Sequence, residues 1–284
     1  VFDAAIAVHF ALSVVYPSAG NLGGGGFAVY RLNNGEVGTL DFREKAPKLS
    51  FRNMYLKEEN GKLIVDDNKS KLGHLASGVP GSVDGMVTLH ERFGSLGWPT
   101  LLDPAIKLAK NGFNITKKQS ASLNKVKSSF QKVNDKPISF INESKWKEND
   151  ILIQDDLGNT LSRIKTDKRN GFYSGITAEL ILKEMIDGAA ILNTDRVELY
   201  TENYAANYHK NPEEAIKHYT LAAKLANKLQ IGINAGHDLN LENLQYFHNN
   251  VDNLLEVSIG HALIADALSY GMENTVNMYL SRLK

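Results

Sequence analysis

From about residue 196 to its end the chain alternates short apolar runs with longer amphipathic ones, and that rhythm admits few folds. Val197–Thr201, Ile231–Ala235 and Glu256–Ile259 read as strands. Pro212–Leu229, Leu241–Asn249, Ala262–Tyr270 and Met272–Leu283 have helical spacing. Strands separated by helices predict a parallel sheet with crossover helices, because parallel neighbours cannot be joined by a tight turn.

The preceding residues follow no such rhythm. Phe2–Val15 has helical spacing and is stopped by Pro17, Gly20 and Gly23–Gly26. Phe27–Arg31 and Val37–Phe42 flank Asn33-Asn34-Gly35, a hairpin signal. A short strand is expected at Lys62–Val65, and helices at Val83–Phe93, at Asp103–Asn111 ended by Gly112, and at Thr177–Leu192. Residues 114–170 alternate Lys/Ser/Asn-rich helix with loops, and 134–150 reads as an exposed insertion. The change of pattern falls inside a helix, near Met185–Gly188, with no Pro/Ser-rich linker to mark it. Charge changes there too: net +5 over residues 1–186 and −5 over 187–284, with five of the eight His in the second stretch. Two origins are expected for the two stretches.

Several function classes drop out. The chain has no Cys, which excludes disulfides, thiolate metal sites and a Cys nucleophile. Its net charge is zero, so neither nucleic acid nor an anionic membrane is expected as a partner. Ala4–Val15 is apolar but too short to span a bilayer and lacks the basic flank of a secretion signal, so a buried helix is expected and cytoplasm is the default compartment. A start at Val inside an apolar pattern suggests a fragment.

In the first stretch, Gly23–Gly26 lacks the Lys-Ser/Thr of a phosphate loop. Four glycines permit tight turns and close backbone approach, or a cradle of N–H groups for a developing oxyanion. Arg43 ends a predicted strand between Asp41 and Glu44. It is shaped to grip a carboxylate in a bidentate way, or simply to form a surface ion pair with its neighbours.

Residues 1–185 resemble the large-subunit region of gamma-glutamyltransferases. The resemblance runs through D-A-A-I-A-V, S-A-G-N-L-G-G-G-G-F, L-D-F-R-E-K-A-P, G-V-P-G-S-V-D-G, L-H-E-R-F-G, L-L-D-P-A-I-K-L-A-K-N-G-F and G-F-Y-S-G, in that order. It implies an αββα N-terminal-nucleophile hydrolase fold and attack on the γ-glutamyl amide of glutathione, with transfer to water or an amino acid. Arg43 would hold the α-carboxylate of the glutamyl group. The nucleophilic Thr of that family, which heads a T-T-H-type motif, has no counterpart in this sequence. Acyl transfer needs an activated nucleophile as well as a clamp.

In the second stretch, His237 and His261 each follow a Gly at the C-terminal end of a predicted strand, the edge where ligands bind in parallel β/α folds. Gly260-His261 also opens a helix, a favourable phosphate position. The alternative is a pair of loop histidines capping helices. Glu198 lies within a strand, either titrating in a site or paired as a buried carboxylate. His209, His218 and His248 read as solvated, and the five histidines show no metal-site spacing.

Residues 187–284 resemble the C-terminal part of pyridoxine 5′-phosphate synthase, through T-D-R-V-E-L-Y-T, I-N-A-G-H-D-L-N-L-E-N-L and E-V-S-I-G-H-A-L-I-A-D-A-L. That family is a TIM barrel condensing 1-deoxy-D-xylulose 5-phosphate with 3-amino-2-oxopropyl phosphate, without a metal or organic cofactor. By the resemblance, His237 is a proton donor, Glu198 sits in the active site, and Asp238, Gly260 and His261 bind the amino-ketone phosphate. Tyr200 stands where the family normally has His.

The expected fold is therefore an α/β and α+β composite: a partial αββα fragment followed by the last three βα units of a TIM barrel. Small-molecule substrates are expected for both parts, with neither activity in this chain alone. Three barrel strands would leave an open edge, available for self-association or complementation, and an uncovered apolar face.

Overall fold

A computed structural model of the chain describes all residues of 1–284 except 48–49, 67–68, 72, 135 and 192–193. The expected helix end at Leu192 lies outside the described residues, as does part of the expected insertion. Two compact units are present, Val1–Ala178 and Glu179–Lys284.

The first unit begins with helix α1 (Phe2–Val15), whose Ile6, Phe10 and Val14 recur every four residues and are fully buried. Strands β1 (Phe27–Arg31) and β2 (Val37–Asp41) form the expected antiparallel hairpin, with Gly35 at φ 88° in its turn. A second hairpin pairs β3 (Leu56–Glu59) with β4 (Lys62–Val65), turning through Asn60 and Gly61, both at positive φ. Helices α2 (Ser82–Phe93) and α3 (Trp98–Asn111) follow. Strand β5 (Phe113–Asn114) pairs antiparallel with β6 (Ile151–Leu152), and α4 (Lys117–Val133) lies between them in sequence. Helices α5 (Asp155–Asp167), α6 (Asn170–Tyr173) and α7 (Gly175–Ile191) complete the stretch.

The core of this unit is set by α1, α2, α3 and α5, through Phe10, Val83, Val87, Leu102 and Leu161. The indole N–H of Trp98 donates to the Ile164 carbonyl at 3.0 Å, so a large buried ring keeps its polar group satisfied. Two glutamine amides serve the last carbonyls of α1: Gln154 Nε2 donates to Val14 and Gln119 Nε2 to Val15, each at 2.8 Å. Gln119 also closes a capping box with Thr116 at the start of α4. The segment expected as an exposed insertion is pinned to α4. Asn124 exchanges two hydrogen bonds of 2.9 Å with the backbone of Trp146, and the Trp146 indole donates to Phe140 O at 3.0 Å.

Helix α7 runs without a break through Met185–Gly188, where the sequence pattern changes. The second unit continues with β7 (Arg196–Tyr200), α8 (Glu202–Tyr208), α9 (Pro212–Lys228), β8 (Gly232–Gly236), α10 (Leu244–Asn250), β9 (Leu254–Ser258), α11 (His261–Tyr270) and α12 (Met272–Ser281). The three strands form one parallel sheet in the order β7-β8-β9. A register irregularity at Ile233/Asn234 offsets β9.

The two faces of this sheet differ. Leu199, Ile233 and Ala235 are buried against helical residues such as Ile216, Ala223 and Phe247. The opposite face carries Arg196, Glu198 and Tyr200 on β7, Asn234 on β8, and Glu256 and Ser258 on β9. Arg196 bonds Glu256 across it at 3.1 Å. The expectation of an uncovered apolar face is thus corrected: strand alternation sends Leu199, Ile233 and Ala235 toward the helices and leaves a mainly polar face open, with Leu255 exposed on it beside Gly232.

Candidate functional site

In the first unit the glycine-rich loop is a packing surface. Gly26 and Phe42 exchange backbone hydrogen bonds of 3.2 and 2.9 Å, and the Gly24 carbonyl accepts from the N–H groups of Gly81 and Ser82 at 2.9 and 3.0 Å. Lys45 and Val79 pair at 3.1 and 2.8 Å. The segment Phe42–Lys45 is therefore clasped between the loop and residues 79–82. A Cβ on Gly25 would lie 2.6 Å from Glu44 N, and one on Gly81 would lie 2.9 Å from Arg43 O, so glycine is what permits the approach.

That clasp presents Arg43 and Glu44. The Arg43 Nε donates to Glu44 Oε2 at 3.0 Å, its backbone N–H donates to Asp41 Oδ1 at 2.9 Å, and its guanidinium carbon stands 5.6 Å from the centre of the Phe27 ring. The Arg43 side chain is 59% exposed, with the rest of its guanidinium facing outward. The Glu44 carboxyl is held below its usual range chiefly by its own backbone N–H. Partial burial opposes this, and Arg43 and the N–H of Gly25 reinforce it.

A cavity of about 750 Å³ lies elsewhere in this unit, walled by Tyr16, Ile115, Leu123, Val126, Phe130 and Phe140. None of the residues singled out from the sequence lines it. The spacing of Leu123, Val126 and Phe130 on one face of α4 was the signal available for it.

In the second unit the candidate residues gather at the C-terminal ends of the strands. Thr201, just past β7, donates to the Gly236 carbonyl from its backbone at 2.8 Å and from its hydroxyl at 2.7 Å, and its hydroxyl also meets the His237 carbonyl. His237 and Asp238 follow β8 with φ 86° and 56° and are exposed. The His237 ring stands edge-on to the Tyr200 ring, with centroids 4.7 Å apart. Glu198 is half-buried, and its Oε1 would lie 2.6 Å from a Cβ on Gly236, so the carboxylate leans over that glycine. Gly260 caps α11 and His261 opens it, both exposed.

Of the three further histidines, His218 and His248 depart from the solvated picture. His209 is exposed and 3.2 Å from Glu242. His218 is half-buried, 3.7 Å from Glu179. His248 lies within α10 with its Nδ1 enclosed and without a hydrogen-bond partner. Among the described residues no group of three or more His, Asp or Glu is placed to hold a metal ion. Among them, too, no helix is long and apolar enough to cross a membrane.

Comparison with known proteins places this geometry. The gamma-glutamyltranspeptidase family matches residues 1–258, which takes in the Gly-rich loop, Arg43 and all three strands of the parallel sheet. The chain belongs to the gamma-glutamyltranspeptidase family. Gamma-glutamyltranspeptidase from Helicobacter pylori is similar in structure, with a TM-score of 0.62 and 30% identity over 99% of this chain and 84% of that one. The glutathione hydrolase proenzyme of Pseudomonas aeruginosa is 40% identical over 190 residues, 64% of this chain and 32% of that protein.

A second resemblance coexists with the first. Pyridoxine 5′-phosphate synthase of Flavobacterium johnsoniae is 54% identical over 117 residues, which are 41% of this chain and 49% of that enzyme. The chain thus spans about half of the curated synthase and about a third of the curated hydrolase. The chain is a composite in its resemblances, and the gamma-glutamyltranspeptidase match extends past the change of sequence pattern near residue 187.

Proposed function

We propose that residues 1–185 are a γ-glutamyl-binding piece of an N-terminal-nucleophile hydrolase fold, that residues 187–284 are the last three βα units of a synthase-type TIM barrel, and that the chain alone turns over neither kind of substrate. The observation that carries the first part is the glycine clasp on Phe42–Lys45, which fixes the backbone of Arg43 and leaves its guanidinium outward. A rigidly mounted, exposed guanidinium suits the α-carboxylate of a γ-glutamyl compound such as glutathione. Binding is not turnover: the sequence has no counterpart of the family's nucleophilic Thr.

For the second part, His237 is assigned as a proton donor, with Glu198 in the same active site. Asp238, Gly260 and His261 are assigned to the phosphate of an amino-ketone. The start of α11 supports this, since free N–H groups at a helix start favour an anion. Neither reaction calls for a cofactor in this reading. The working compartment is the cytoplasm, and the chain arises by joining of two genes.

Calorimetry with glutathione tests the clamp. The native chain binds weakly, and Arg43→Ala loses about 2 kcal/mol, the scale of a charge-assisted hydrogen bond. Equal binding by both would remove Arg43 from the role. Incubation with a γ-glutamyl anilide, and separately with the two synthase substrates, yields no product; steady turnover of either refutes the inactive reading. A single DNA read spanning the codons for Gly175 to Tyr204 in frame establishes the joining, and its absence assigns the two resemblances to separate chains.

A further inference from the structure

We infer that the parallel sheet of the second unit is a docking surface for one kind of partner, a polypeptide of parallel β/α units corresponding to the part of a pyridoxine 5′-phosphate synthase outside the matched region. This rests on the reading of residues 187–284 as a piece of such an enzyme.

Three features of the unit point the same way. First, all-parallel sheets are normally covered on both faces, and this one is covered on one. Its other face holds Arg196, Glu198, Asn234 and Glu256, groups suited to the lining of an enclosed polar interior rather than to contact with an apolar helix. Second, among the described residues the outer edges of both β7 and β9 lack a strand neighbour, and each edge offers backbone N–H and C=O groups to a further strand.

Third, the helices next in sequence to the two edge strands carry uncovered apolar side chains. Helix α11, which follows β9, has no buried residue, and its Ile264 and Leu268 are 53% and 87% exposed one turn apart. On α12, Met272, Val276 and Leu280 repeat the pattern. On α7, which precedes β7, Leu180 and Ile181 are exposed. A soluble unit does not normally leave such stripes on both flanks unless something packs on them. One occupant satisfies all three features at once: strands that pair with both edges, helices that pack on both flanks, and a sheet that closes over the polar face. The matched segment is 49% of the synthase, so the remainder is a polypeptide of comparable size.

The test is co-expression of the full chain with the part of the Flavobacterium johnsoniae synthase outside the matched 117 residues. An equimolar complex in sedimentation is expected, with amide exchange of Glu198 and Val257 slowed at least about tenfold relative to the chain alone. Leu268→Glu, at an exposed site, is expected to keep the circular dichroism of the chain while weakening the complex at least about tenfold. No complex, or the same protection produced by association of the chain with its own copies, overturns the proposal. A graft separates this from failure of the underlying reading. The matching segment of this chain replaces the 117 residues within the intact synthase. A graft that makes pyridoxine phosphate while the two separate pieces ignore each other defeats the docking proposal alone. An inactive graft with no complex defeats both.

Discussion

Thr201 holds Gly236 twice, through its own N–H at 2.8 Å and its hydroxyl at 2.7 Å. Thr201 is fully buried, so this pairing ties the end of β7 to the turn that carries His237 and Asp238. Thr201→Val keeps the shape and deletes the hydroxyl. It leaves the Gly236 and His237 carbonyls without that donor, the first of these contacts being buried, and is expected to cost about 1–3 kcal/mol. Urea unfolding monitored in the second unit measures the loss. A midpoint equal to that of the native chain would show that the hydroxyl does not fasten the turn.

The glycine clasp around Phe42–Lys45 makes a prediction with its own control. Gly25→Ala sets a methyl 2.6 Å from Glu44 N and 2.7 Å from Arg43 Cα, and Gly81→Ala sets one 2.9 Å from Arg43 O. These are backbone atoms that cannot swing aside, so each change is expected to cost about 2–3 kcal/mol. Gly23→Ala meets nothing nearer than Asn21 Oδ1 at 3.6 Å and is expected to stay within about 0.5 kcal/mol of native. Thermal melts that rank Gly23→Ala alongside the other two would show that the loop does not pack as described.

Much of the fold was legible because the signals are local. Asn33-Asn34-Gly35 announces the first hairpin, and Lys62–Val65 is bounded as the sequence indicates. The strand–helix rhythm after residue 196 predicts the parallel sheet, which the structure forms. Helix α3 begins at Trp98 rather than Asp103, because Pro99 suits its first turn and Pro104 is tolerated inside it. Helix α8 leaves no periodic signal in the sequence, because Tyr204 is its one fully buried side chain. Strands β5 and β6, of two residues each, show no alternation at all.

The candidate sites were legible as residue types and not as surroundings. Arg43 and His237 stand at strand ends as expected. Nothing local shows that Gly81 packs against Phe42–Arg43, or that Tyr200 stands edge-on to His237, since both contacts join distant segments. Nor does the sequence show which sheet face is left open.

The Arg43–Glu44 pair bears on binding more than on stability. Both side chains are substantially exposed, so their contact is worth at most about 1 kcal/mol to folding. Glu44 nevertheless fixes the Nε side of the guanidinium. Glu44→Gln is expected to leave the melting temperature within about 2 °C of native. It is also expected to weaken glutathione binding about fivefold, because a looser guanidinium must be ordered by the ligand. Calorimetry showing unchanged or tighter binding would make Glu44 a competitor of the ligand rather than its support.

Asp3 gives the chain an acid-sensitive joint. Its buried carboxylate accepts from the Ser95 hydroxyl at 2.9 Å, the Ser95 N–H at 3.1 Å and the Leu96 N–H at 3.2 Å, tying α1 to the turn between α2 and α3. Burial is the largest single influence on this group and acts to raise its pKa. The hydrogen bonds from Ser95 and Leu96, with help from His90, outweigh it, and the net direction is down. A carboxyl with a lower pKa folded than unfolded stabilises the fold above its unfolded value and loses that contribution as pH falls through the folded one. The loss therefore begins below about pH 4, the ordinary aspartate value. Asp3→Asn replaces one acceptor oxygen with an NH₂ group facing three donors. It is expected to be less stable than native at pH 7 and to lose stability less steeply below about pH 4. Unfolding curves at a series of pH values check both parts, and parallel acid slopes for the two proteins would show that Asp3 is not the group responsible.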